Sequence, residues 1–188
     1  MEHNFRDSLK FSHATSDLAF WDDVYEQAFP GAVVIDHRQS GDHQLAGIDR
    51  SLTLPSSKQI TIDEKVRRTK YGDILLEYFS DYTRRAPGWV CKPLLADYIA
   101  YAILPLGRCY FLPVPQLQQA WKTRGFAWME KFGERRSENR SNDRVWTTVS
   151  VPVPVDEVFQ AMGQSLRISF APPDDAPLLN TGTQNATN

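Results

Sequence analysis

The sequence predicts an α/β (α+β) domain, a central mixed β-sheet flanked by helices. Three observations predict it. An amphipathic stretch near the start has its apolar residues at helical spacing. Short β-branched runs follow, separated by Pro, Gly and Ser turns. Helical and strand-like stretches then mix along the rest of the chain, a pattern that builds layered α/β domains.

The 188 residues suit one domain, since domains commonly run to roughly 100–200 residues. Hydrophobic residues make up 41% and aromatics 12%, enough for a packed core and too many for a disordered chain. We expect a single domain over 1–170 and a disordered, Pro- and polar-rich tail over 171–188. Lys and Arg number 21 against 23 Asp and Glu, a net charge of −2. That excludes a broadly basic nucleic-acid binder. Any such surface is local, or metal ions offset part of the phosphate charge. Cys91 and Cys109 form no C-x-x-C pair, which argues against structural zinc and for reduced thiols. The polar N-terminus lacks the apolar segment of a signal peptide, and no run is long enough to span a membrane. A cytoplasmic protein with no membrane partner is the expectation.

Element by element, Leu18, Phe20, Trp21, Val24, Tyr25, Ala28 and Phe29 predict a helix over Ser16–Phe29, stopped by Pro30-Gly31. Ala32–His37 reads as a strand and Arg38–His43 as a turn. Leu45–Leu54 reads as a second strand, with Ile48, Leu52 and Leu54 on one face. After a turn at Pro55–Lys58, Gln59–Val66 is a third strand and Asp73–Phe79 a fourth. Arg84–Pro93 is a loop. Leu94–Leu104 fits helix or strand, and the shared face of Leu94, Leu95, Tyr98 and Ile99 favours helix for its first part. Arg108–Leu112 reads as a strand, and Val114–Thr123 as a helix with Pro115 in its first turn. Lys131–Asp143 is a charged surface loop, Val145–Val153 a strand that Pro152 puts at an edge or an end, and Val155–Gly163 a short helix.

The chemistry concentrates on the second and third strands. One carries Gly47-Ile48-Asp49, the other Ile60-Thr61-Ile62-Asp63-Glu64-Lys65. The short turn between them makes them antiparallel neighbours. Side chains alternate along a strand, so Asp63 and Lys65 share one face and Glu64 points with the isoleucines. Two carboxylates and an ammonium then meet at one spot. The carboxylates repel unless a hard divalent cation joins them. Such a cation takes one or two carboxylates and leaves room for phosphate oxygens. A lysine beside it can hold or deprotonate the attacking water, or stabilise a pentavalent phosphate.

A strand acid, a hairpin and then D-x-K resembles the signature of the PD-(D/E)xK nuclease superfamily, in a version similar to small Holliday-junction-resolvase-type nucleases. That family's restriction-endonuclease-like core is a helix, a three-strand meander, a helix and a further strand. The resemblance implies that Asp49 and Asp63 hold Mg2+ or Mn2+, that the Glu64 carbonyl is a further ligand, and that Lys65 is the catalytic lysine. It also implies a first-helix glutamate, for which Glu26 is chosen over Asp22 and Asp23. The sequence departs from the pattern in Ile48, where proline is usual, and in the shorter aspartate at Asp63.

The activity implied is phosphodiester hydrolysis, with DNA as substrate, RNA as the other nucleic acid, and a homodimer as a frequent family state. The alternative is a catalytically inactive binding or inhibitor protein of a mobile genetic element. Arg67, Arg68 and Lys70 read either as a phosphate clamp or as a solvated strand end. Arg84 and Arg85, in a loop with Trp89 and Lys92, read either as a backbone contact or as part of a loop anchored to the core. Glu77 is an acid among apolar neighbours, either beside the metal or paired to an arginine. His37 and His43 flank the turn before Asp49, and neither is assigned a role.

Overall fold

A computed structural model describes residues 20–141, 144–163 and 166–172. Helix α1 (Phe20–Ala28) buries Phe20, Trp21, Val24 and Tyr25, the apolar face its spacing predicts. Strands β1 (Val33–Asp36), β2 (Arg50–Thr53) and β3 (Gln59–Arg67) form an antiparallel meander. Strand β4 (Asp73–Asp81) and the two-residue β5 (Ala86–Pro87) come next, followed by β6 (Tyr98–Ile103) and β7 (Arg108–Pro113). Strand β6 pairs parallel to β3 and antiparallel to β7. With β10 (Leu166–Ser169) they make a mixed six-stranded sheet of order β1-β2-β3-β6-β7-β10.

Strand β4 does not extend the meander. It joins a second sheet of order β5-β4-β9-β8, built with β8 (Arg135–Ser141) and β9 (Arg144–Pro154). Helix α1 covers one face of the first sheet, packing on Leu52, Ile60, Ile62, Ala100, Ala102 and Phe111. The other face, with Ile99, Tyr101, Ile103, Tyr110 and Leu112, packs against Ile74, Leu76, Val151 and Val153 of the second sheet. Helices α3 (Val114–Phe132) and α4 (Val155–Met162) close that same core.

Four sequence expectations are corrected. Residues 41–46, read as the end of a turn and the start of a strand, form the short helix α2 (Gly41–Ala46), and β2 begins only at Arg50. Leu45, counted as a strand residue, is 86% exposed on that helix. Leu94–Asp97 is not helical, and β6 starts at Tyr98. Five of the six β6 residues are buried because the strand is central and covered on both faces, so alternation is lost. Arg135–Ser141 is a strand with no apolar residue, invisible to hydrophobic patterning and defined by its pairing with β9. Helix α3 continues past Thr123 for nine more residues, through Gly125, where an added Cβ would lie 3.0 Å from the Trp121 ring.

Pro152 sits where β9 has passed the end of β8 and pairs with β4 alone, so its missing N–H breaks no ladder there. The tail expected to be disordered lies, beyond residue 172, outside the described residues, as does the start of the first predicted helix.

Candidate active site

Strand β2 meets β3 with Arg50 opposite Ile62, and Asp49 immediately precedes β2 at that end. Two backbone-directed bonds fix Asp49 there. Its N–H donates to the Ile62 carbonyl at 2.8 Å, and its carboxylate accepts the Glu64 N–H at 2.8 Å. The other oxygen accepts Gln44 Nε2 at 3.0 Å from helix α2. That helix ends on Gly47 in the left-handed region, at φ +69°. A side chain at Gly47 would meet Leu94 Cδ2 at 2.6 Å, and the Asp63 carboxylate stands 4.0 Å from the same point. Glycine therefore lets the 94–97 segment close down beside the acids.

Asp63 is 4% exposed, and Lys65 Nζ donates to its Oδ1 and, at 3.3 Å, to the Glu64 carbonyl. Burial pushes the Asp63 carboxyl above its usual value. Lys65 opposes that shift and the Asp49 carboxylate adds to it. Burial works to lower the Lys65 ammonium, yet Asp63, Asp49 and Glu77 together carry it above its usual value. Lys65 is thus a firmly protonated cation, and 30% of its side chain is open to solvent.

The structure brings Asp49, Asp63, Lys65 and the Glu64 carbonyl together. The Glu64 carboxylate points the other way, as alternation requires. It accepts the Tyr25 hydroxyl of α1 at 2.6 Å and Arg50 Nε at 3.0 Å, while among the described residues its Oε2 has no hydrogen-bond partner. Burial still leaves this carboxyl above its usual value, against the pull of Arg50 and Tyr25.

Glu26 is not brought to the cluster. It is exposed on α1, which packs on the Ile60–Ile62 face of the sheet, and Asp22 and Asp23 are exposed on the same helix. Arg67 turns inward, 2.6 Å from Asp73 with its guanidinium 5.5 Å from the Tyr71 ring, so its charge is engaged within the fold. Arg68 is partly buried, which brings its guanidinium down to about 10, and Lys70 is exposed. Arg84 and Arg85 are exposed at the β4–β5 turn, and Arg85 lies over Phe79 and Tyr82 at 5.5 and 5.1 Å. Trp89 is 7% exposed and anchors its loop in the core. His37 and His43 stack on each other at 3.9 Å.

Glu77 is the residue whose placement the sequence left open. Its carboxyl is raised by burial, opposed by Lys65 and Lys92 and by an N–H from Trp89, with Asp63 acting in the same sense as burial. The clue in the sequence was its alternation with Leu75, an acid in an apolar strand.

Among the described residues no set of three or more His, Cys, Asp and Glu side chains gathers to hold a metal ion. Two carboxylates and a carbonyl would still suit Mg2+, a hard cation that takes oxygen ligands. No helix of the described residues is long and apolar enough to cross a membrane. Comparisons with protein-family models, curated proteins and solved structures return no match.

Proposed function

We propose that this chain is a metal-dependent nuclease that hydrolyses phosphodiester bonds in DNA. The observation that carries the reading is Asp49, just before β2 and holding the Glu64 N–H with its carboxylate, beside Asp63 of β3, with Lys65 seated on Asp63. The order of elements supports it: a helix, a three-strand meander and then a strand parallel to its third member. The departure is that β4 and β5 of a second sheet occupy the crossover where the restriction-endonuclease-like core has a helix.

Asp49, Asp63 and the Glu64 carbonyl would hold Mg2+ or Mn2+, which supplies a polarised phosphate and an activated water when bound. The Glu64 N–H and the Gln44 amide orient Asp49 for that task. Lys65 would hold or deprotonate the attacking water, or stabilise the developing phosphorane charge. Arg68, Lys70, Arg84 and Arg85 would be the basic groups that meet the nucleic-acid backbone. The test is incubation of duplex, single-stranded and branched DNA with the protein and Mg2+ or Mn2+. Cleavage is expected, abolished by EDTA, Asp63→Ala and Lys65→Ala. Intact substrates under all these conditions would refute the reading.

One observation favours a catalytically inactive nuclease-fold protein that binds or inhibits a partner, of the kind mobile genetic elements carry. The Lys65 ammonium already offsets Asp63 without a cation. That reading predicts a partner complex that survives Asp63→Ala and no cleavage.

A further inference from the structure

One end of the second sheet is built of rings and guanidinium groups. Strand β4 runs out into its turn toward β5, and the start of β9 lies beside that turn, where the Tyr82 N–H donates to the Thr147 carbonyl at 2.8 Å. Asp81, only 5% exposed, ties the two together. It accepts Arg144 Nη2 at 2.8 Å and the Arg84 N–H at 3.2 Å. The Phe79 and Tyr82 rings meet edge to face at 5.7 Å. The Arg85 guanidinium lies 5.5 Å from the first ring and 5.1 Å from the second, and that of Arg136 on β8 lies 4.5 Å from Tyr82. Arg144 lies 5.2 Å from the Trp146 ring on β9.

Two features set this apart from a solvated strand end. Arg85 has φ +54°, a left-handed backbone that a residue with a side chain adopts at a cost. Its guanidinium is held by rings, and among the described residues no carboxylate pairs with it. The charge is also local. Residues 81–86 and 134–144 carry six arginines against four acids, in a chain of net charge −2. The side chains of Arg84, Arg136 and Arg144 are 68%, 53% and 54% exposed, so these charges face solvent.

The chemistry of the surface selects its occupant. A ring engages the flat face of a guanidinium and leaves the N–H fork at its edge to meet phosphate oxygens. Arg136 spends Nη2 on Glu134 at 3.2 Å and keeps further donors. Rings and stacked guanidinium planes suit unpaired bases. A duplex offers phosphates but keeps its bases stacked inside, and an acidic peptide offers charge without a base. A single strand offers both at once.

The surface is also tied to the acids of the first sheet. The Gly88 N–H donates to the Tyr78 carbonyl at 2.9 Å, and six residues on, Leu94 touches the Gly47 position beside Asp63. Six residues span at most about 20 Å, so one short strand can touch both places.

We propose that this end of the second sheet binds single-stranded DNA, with Arg85 and Arg136 holding phosphates and the Tyr82 stack taking a base. The choice of DNA rests on the nuclease reading, whereas the surface itself does not use the catalytic acids.

The test is fluorescence anisotropy with a labelled oligothymidine of about twenty nucleotides, on the full chain in EDTA, where no cleavage occurs. Wild type should bind it more tightly than a duplex of the same length. Arg85→Gln combined with Arg136→Gln should weaken binding about tenfold and flatten the salt dependence by about 1.4 in slope. Arg108→Gln combined with Arg167→Gln removes the same charge from exposed positions on β7 and β10 and should leave affinity within about twofold. Circular dichroism checks that each variant folds. No binding by wild type at low salt overturns the proposal. So does equal weakening by the two double variants, which would make the effect one of net charge. Duplex or a phosphoserine peptide bound as tightly as the oligothymidine overturns it too. Binding that follows the expected pattern in a protein that cuts no DNA with Mg2+ or Mn2+ supports this surface and removes the nuclease reading alone.

Discussion

Arg50→Met tests the tie behind strand β3. Arg50 Nε donates to Glu64 Oε1 at 3.0 Å, and only 12% and 4% of the two side chains are exposed. Taking away the guanidinium leaves a buried carboxylate with the Tyr25 hydroxyl as its remaining partner. Breaking one side of a buried pair costs about 3–5 kcal/mol, which for a chain of this size lowers Tm by roughly 6–20 °C. Arg50 also pairs with Asp36 at 2.9 Å, but that carboxylate is 42% exposed, so breaking this second ion pair adds little. The pH dependence separates this cause from simple loss of packing. Burial already holds the Glu64 carboxyl above its usual value, and without Arg50 it rises further. For an acid with a raised folded pKa, the favourable state is present below its unfolded value of about 4.3 and is lost as pH rises through the folded value. The cost of Arg50→Met should therefore be largest near neutrality and shrink toward about pH 4.5. Urea unfolding followed by circular dichroism at the two pH values measures both. A cost below about 1 kcal/mol at neutral pH, typical of a surface pair, would refute the reasoning. An equal cost at both pH values would refute it too.

Three further outcomes are expected. Gly47→Ala should destabilise by about 1–3 kcal/mol for its left-handed backbone alone, and a second change, Leu94→Ala, should relieve the 2.6 Å clash but not the backbone part; full rescue in urea unfolding would contradict this. Mn2+ at about one hundred times its Kd should raise Tm by roughly 5–11 °C. That rise should vanish in Asp63→Ala and fade as pH falls, because protons compete for a carboxyl whose value burial has raised; a rise of the same size in Asp63→Ala would place the cation elsewhere. Iodoacetamide should label exposed Cys91 in the native protein and spare Cys109, which is fully buried with its thiol pushed up by burial; mass spectrometry showing early labelling of Cys109 would contradict the packing under α1.

That Asp63 and Lys65 share one face was legible because it follows from period-two alternation. Ile60 and Ile62 had to face a core, which sends Asp63 and Lys65 to the other side. The second sheet was not legible. Nothing in DILLEYF says whether the strand continues the meander or leaves it, since Ile74 and Leu76 need only an apolar partner. Strand β8 was hidden because it is polar throughout, and α2 because six residues are too few for a helical period to register. Glu26 shows the limit of carrying a role by position. A sequence places it on the first helix, but the face of the sheet that helix covers is decided by packing of Trp21, Val24 and Tyr25.

Three consecutive residues of β3 carry charge inside a sheet, and the two faces treat it differently. On the back, Glu64 is matched by Arg50 and by a hydroxyl, a closed arrangement that fixes the strand. The Glu64 N–H then holds Asp49, so the rigidity of the back is transmitted to the front through one peptide unit. On the front, Asp49 and Asp63 outnumber Lys65. Buried carboxylates in excess cost stability. An excess of one negative charge, open through the exposed part of Lys65, is what a cation and then a phosphate would cancel in turn.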